Sequence, residues 1–133
     1  MRLDAELVAT GWLDIVGHHV DSMEYQNGCW AFDVISRSLE ADADPEYCLN
    51  IIKNLVMRAS SKDVTGAICA GIIQDFVTRF INDEHYLEKL SVIVIRNQGI
   101  IQMLRPSIFH FIPPENSQKF FQILTAEKLK RAQ

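Results

Sequence analysis

The sequence has few of the residues, and none of the motifs, on which common enzymes depend. It contains three cysteines and four histidines, with no C-x-x-C pair and no G-K-[ST] phosphate loop. His85 and His110 each lie among residues that helix capping or packing explains. No motif in the sequence therefore brings a nucleophile together with a histidine base. We therefore expect a protein that is not an enzyme, with no catalytic residue, no metal site and no cofactor.

Long hydrophobic runs and a secretion signal are also missing. The longest uncharged apolar runs, residues 92–95 and 108–112, are far shorter than the about 20 residues that span a bilayer. The first residues, MRLDAELV, carry acids where a signal peptide has a basic patch and an apolar run. These features predict a cytoplasmic protein with no membrane partner.

The cysteines are odd in number and widely spaced, which argues against a disulfide framework. Cys29, Cys48 and Cys69 each lie within an apolar helical pattern. We expect them to be reduced thiols that pack as small hydrophobic side chains.

What the sequence does have is a globular composition and a strong helical pattern. Hydrophobic residues make up 48% and charged residues 23% of the 133 residues, which suits one domain over residues 1–133 with its own core. Residues 61–81 predict a long central helix, because two neighbouring rows of apolar residues recur every fourth position. The rows are Val64, Ile68, Ile72, Phe76 and Phe80, and Cys69, Ile73, Val77 and Ile81.

Small residues inside this helix predict a close contact with another helix. Gly66, Ala70 and Gly71 lower helix propensity or leave space, so a neighbouring backbone approaching at this point would explain them. On the opposite side, Asp75 and Arg79 have the i, i+4 spacing of a surface ion pair.

The rest of the chain reads as shorter amphipathic helices separated by turns. Asp44 followed by Pro45 is a helix start, and residues 22–28 are interpreted as a turn. The last helix is expected to bury Leu129 with its other apolar residues. Residues 92–95 are four β-branched residues in succession, so a strand remains an alternative to a helix there. The pattern predicts an all-α fold, an antiparallel helical array or short solenoid-like bundle of about six to eight helices.

Charge divides the sequence unevenly. Residues 1–50 contain ten acidic and two basic residues, a net charge of −8, whereas residues 51–133 contain seven acidic and eleven basic residues, a net charge of +4. This balance disfavours nucleic acid and favours a basic protein as the partner of the N-terminal part. The candidate partner-binding residues alternate along one loop: Glu40, Asp42, Asp44 and Glu46. The alternative is a solvated loop that supplies one helix cap.

Residues 29–105 resemble an uncharacterised bacterial family of small helical domains. The resemblance rests on the aromatic segment CWAFDVISRSL, the proline-started helix after it, and an A-G-x-x-x-D central helix running from Ala70 to Asp75. In that family the motif reads alanine, glycine, proline, leucine, glutamate, aspartate, so Ile72 and Gln74 depart from it. The resemblance implies an antiparallel helical array akin to a short solenoid, without an established activity.

Two functions fit these features. The first is a non-enzymatic, cytoplasmic protein-binding domain, most specifically an immunity protein that neutralises a cognate bacterial toxin, such as a nuclease, by covering its basic active surface. The alternative is a small helical adaptor or subunit with a constitutive structural partner.

Overall fold

The computed structural model describes residues 3–18, 21–40 and 43–132, and within them the regular secondary structure is helical. Counting the central helix once, these residues form eight α-helices and no strand, which confirms the predicted all-α fold. The N-terminal helices are α1 (Ala5–Ile15), α2 (Met23–Gly28), α3 (Trp30–Ser38) and α4 (Pro45–Arg58). The central helix consists of α5 (Lys62–Ile68), a π-helical turn (Cys69–Ile73) and α6 (Gln74–Arg79). It is followed by α7 (Glu84–Val94), α8 (Gln98–Met103), a 3₁₀ turn (Pro106–Ile108) and α9 (Pro114–Ala132).

Helix α4 has the most helical neighbours. It packs against α1, α3, α5 and α7, and α7 in turn packs against α9. The side chains of Ile51, Ile52 and Leu55 are completely buried. The protein is thus built around α4 as much as around the predicted central helix, which packs mainly against α4, α8 and α9.

Capping explains where several helices begin. Asp44 accepts a hydrogen bond from the backbone N–H of Tyr47 at 3.0 Å, as the sequence predicted, and Ser61 accepts one from Val64 at 3.2 Å. Residues 92–94 belong to α7 and Ile95 is its C-cap, so the predicted helix is confirmed there and the alternative of a strand is wrong.

The central helix keeps both apolar rows buried because of its π-helical turn. An α-helix advances about 100° per residue, so a spacing of four drifts about 40° at each step. The wider turn at Cys69–Ile73 inserts one extra residue, which rotates the following residues back toward the core. Ile68, Ile73 and Phe76 are consequently all fully buried.

One prediction about secondary structure and three about packing are wrong. The segment read as a turn forms helix α2, capped by Ser22. A Cβ atom built on Gly71 meets nothing within 4 Å, and one on Gly66 meets only the Met103 sulfur at 3.8 Å, so no helix crosses closely there. Arg79 Nε donates to the carbonyl of Leu39 at 3.0 Å instead of pairing with Asp75. Leu129 is 62% exposed.

Candidate protein-binding surface

The four residues predicted to bind a partner have different surroundings. Asp44 is half-buried and caps α4. Glu46 is exposed and forms an ion pair with Lys89 on α7, which links two neighbouring helices. Glu40 is exposed just after α3, and Asp42 lies outside the described residues. Two of the four therefore already have a structural role, and Glu40 is the described member with most freedom to meet a partner.

Acidic residues cover much more of the N-terminal part than this loop. Of the nine acids at described positions up to residue 50, all but Asp44 are exposed, while Arg37 is the basic residue in the same described stretch. The eight exposed acids are called the acidic face: Asp4, Glu6, Asp14, Asp21, Glu24, Asp33, Glu40 and Glu46. Because α1, α2, α3 and the start of α4 all contribute, the charge is spread over a surface and not confined to one loop.

A groove between α1 and α4 adds apolar surface beside these acids. It has a volume of about 610 Å³, and its walls include Leu3, Glu6 and Met57. Leu3 is 45% exposed and Met57 is 68% exposed. The groove has fixed walls, since the Tyr47 hydroxyl on α4 donates to the Leu3 carbonyl and Arg58 donates to the Thr10 hydroxyl at 2.7 Å.

A second groove, between α7 and α9, carries charges of both signs. It has a volume of about 560 Å³, and both acidic and basic side chains line it. Lys119 lies 3.5 Å from Glu84 across the groove, so part of its charge is paired internally. This groove lacks the charge preference that would identify a type of partner.

The cysteine thiols are not poised for nucleophilic chemistry. Burial raises the pKa of both Cys48 and Cys69 to about 12, and the Ser38 hydrogen bond only partly opposes this for Cys48. A thiolate is the reactive form, so these two thiols are inert near neutral pH. All three cysteines are free, as predicted, although Cys29 is only half-buried.

The described residues offer little for metal or membrane binding. Across these ranges, no three histidine, cysteine, aspartate or glutamate side chains are grouped to hold a metal ion. None of the helices found there is both long and apolar enough to cross a membrane.

The motif behind the family resemblance contains a buried amide that the sequence did not reveal. Gln74 is 1% exposed, and its Oε1 accepts a hydrogen bond at 3.3 Å from the backbone N–H of Phe111, whose side chain is 82% exposed. Its Nε2 has no partner among the described groups. Asp75 lies beside it on the exposed side, and desolvation raises the pKa of its carboxyl group. Gln74 thus tethers the 109–113 loop to the end of the π-helical turn, a contact between positions 37 residues apart that no local pattern signals.

No protein family, curated protein or solved structure compared with the chain matches it. The resemblance to the bacterial helical family stays a prediction.

Proposed function

We propose that this protein is a non-enzymatic binding domain that covers a basic protein partner with its acidic face. One observation carries the proposal: eight exposed acids lie on or beside α1, α2, α3 and the start of α4, and Arg37 is the one basic residue described in the same stretch. An excess of charge of one sign attracts a partner of the other sign over distances of about the Debye length, roughly 8 Å at physiological salt.

The most specific form of the proposal is an immunity protein that neutralises a cognate bacterial toxin. Toxins that cut nucleic acids need basic surfaces to bind phosphates, and an acidic domain can compete for that surface. Charge complementarity mainly speeds association and excludes wrong partners. Both effects suit a protein that must capture a toxin before the toxin reaches its target.

A small helical adaptor or subunit is the second candidate, and the apolar walls of the α1/α4 groove favour it. Leu3 and Met57 are 45% and 68% exposed. Permanent interfaces are more hydrophobic than transient ones, so a constitutive partner would gain from covering these side chains.

The decisive experiment measures association with the protein encoded beside this gene, when that protein is a basic toxin domain. The test variant is Asp33→Lys with Glu40→Lys, because neither residue caps a helix or forms an ion pair within the described residues. Reversing Asp44 or Glu46 would also remove a helix cap or the pair with Lys89, so these positions are left unchanged. The matched control is Glu88→Lys with Glu115→Lys, which changes the net charge equally at exposed positions of the basic part.

We expect the association rate of the wild-type protein to fall steeply with salt. It should drop by about tenfold or more in the Asp33/Glu40 variant and much less in the control, with the dissociation rate little changed. Equal association rates in the two variants would show that the acidic face is not part of the interface. A toxin that still kills cells expressing this protein would exclude immunity, and a neighbouring gene for a structural subunit that binds it would favour the adaptor.

A further inference from the structure

The C-terminal end of α9 carries an exposed apolar side chain among basic ones. After Leu124, which is 1% exposed, every residue from 125 to 132 except Glu127 is exposed. Leu129 is 62% exposed and stands between Lys128 and Lys130, with Arg131 beside them. We call residues 128–131 the basic tip. It is incompletely neutralised, because Glu127 alone lies 4.0 Å from Lys130 and 3.7 Å from Arg131.

The α1/α4 groove has the opposite charge and also contains exposed apolar side chains. Leu3 and Met57 line it beside Asp4 and Glu6, and Lys53 is the basic residue among its lining. Six large hydrophobic side chains are exposed in the described residues, and three of them belong to the groove or the basic tip. Those three are Leu3, Met57 and Leu129.

We propose that the basic tip of one copy docks in the α1/α4 groove of a second copy of this chain. Leu129 would cover Leu3 and Met57, while the flanking lysines face Asp4 and Glu6. An exposed leucine and methionine gain free energy when they leave water together, and opposite charges set the orientation. Helices that dock in grooves usually do so through several apolar side chains, so a single leucine makes this a weak contact.

The two surfaces are different parts of the chain, so the contact is head-to-tail. Such an interface either closes into a ring or extends into a chain of copies. One helix end in one groove buries less than the area of a typical stable interface, so association should be weak and visible only at high protein concentration. Asp4 and Glu6 also belong to the acidic face, so a basic partner would compete with a second copy for this groove. Measurements on the purified protein alone test self-association without that partner.

Sedimentation velocity over a wide concentration range tests the proposal with two complementary variants. Met57→Lys disables the groove and leaves the basic tip intact, whereas Leu129→Glu disables the basic tip and leaves the groove intact. Both positions are exposed, so both variants should keep their helical circular dichroism spectrum. The control is Met23→Lys, an equivalent change at a 72% exposed methionine on α2.

The wild-type protein and the Met23→Lys control should grow in average mass with concentration, and high salt should suppress that growth. Each of the two test variants should remain monomeric alone. Their equimolar mixture should form dimers and nothing larger, because only one intact groove meets one intact basic tip. A wild-type protein that stays monomeric at every concentration would show that the basic tip does not dock in the groove and would overturn the proposal. Association of Leu129→Glu with itself, or a mixture that does not dimerise, would overturn it as well.

Discussion

The glycines of α1 and α2 and those of the central helix look alike in sequence but have opposite surroundings. A Cβ atom on Gly28 would lie 2.1 Å from Ile15 Cγ2, and one on Gly11 would lie 2.7 Å from Trp30 Cζ2. Gly66 and Gly71, in contrast, have room for a methyl group. A glycine within a helical pattern is therefore evidence of close packing only when the neighbouring helix is known.

The largest expected effect is at Gly28. Gly28→Ala would drive its new methyl group into Ile15, which is 2% exposed and cannot turn away. We expect the free energy of unfolding to fall by about 1–3 kcal/mol, measured from urea denaturation. Adding Ile15→Leu removes the methyl group that clashes and should restore part of the loss. An unchanged urea midpoint in Gly28→Ala would show that α1 and α2 are not in close contact.

A smaller loss is expected for Gly11→Ala. The added methyl group meets the Trp30 ring, but alanine in the middle of α1 also gains up to about 1 kcal/mol of helix propensity. The net destabilisation should therefore be smaller than at Gly28, with a change in tryptophan fluorescence as the Trp30 ring shifts. A stabilised Gly11→Ala protein would place the ring farther away than 2.7 Å.

Gly71→Ala should have the opposite sign. No atom lies within 4 Å of its new methyl group, so the variant keeps the helix-propensity gain of up to about 1 kcal/mol. Thermal denaturation should show a higher melting temperature, and Gly66→Ala should behave similarly. A lower melting temperature in Gly71→Ala would instead support the close helix contact that the sequence predicted.

The smallest effect is expected at Asp75. Desolvation raises the pKa of this carboxyl group, so the folded protein holds its proton more tightly than the unfolded chain does. Stability is therefore lost as pH rises from the unfolded pKa through the folded pKa. Asp75→Asn should be slightly more stable than wild type at neutral pH, with the difference vanishing in acid below the unfolded pKa. A difference that is the same at both pH values would rule out the ionisation of Asp75 as its cause.

Local signals in the sequence were enough to predict the helices. Cap residues such as Asp44 and Ser61 act on atoms three residues away, and apolar spacing identifies the face that is buried. The strict spacing of four in the central helix also contained a signal for the π-helical turn, since a regular α-helix would rotate such a row away from the core. The spacing of four predicted a helix, whereas its mismatch with the repeat of about 3.6 residues in an α-helix indicates that the helix widens.

Tertiary contacts explain what the sequence did not predict. Leu129 fits the amphipathic pattern of α9, but the body that would bury it ends near Leu124. Gln74 is polar, yet the 109–113 loop folds over it and it is 1% exposed. Of the candidate binding surface, the acidic charge was predictable from composition. The groove between α1 and α4 was not, because it depends on two helices far apart in sequence.

The unequal burial of the cysteines has a practical consequence for spectroscopy. Cys48 and Cys69 are buried thiols with a pKa of about 12, whereas Cys29 is half-buried at the junction of α2 and α3. A maleimide dye added near neutral pH should therefore react at Cys29 in the wild-type chain, with no engineered cysteine. That position carries a reporter between two helices of the acidic face, where its emission would respond to an arriving partner.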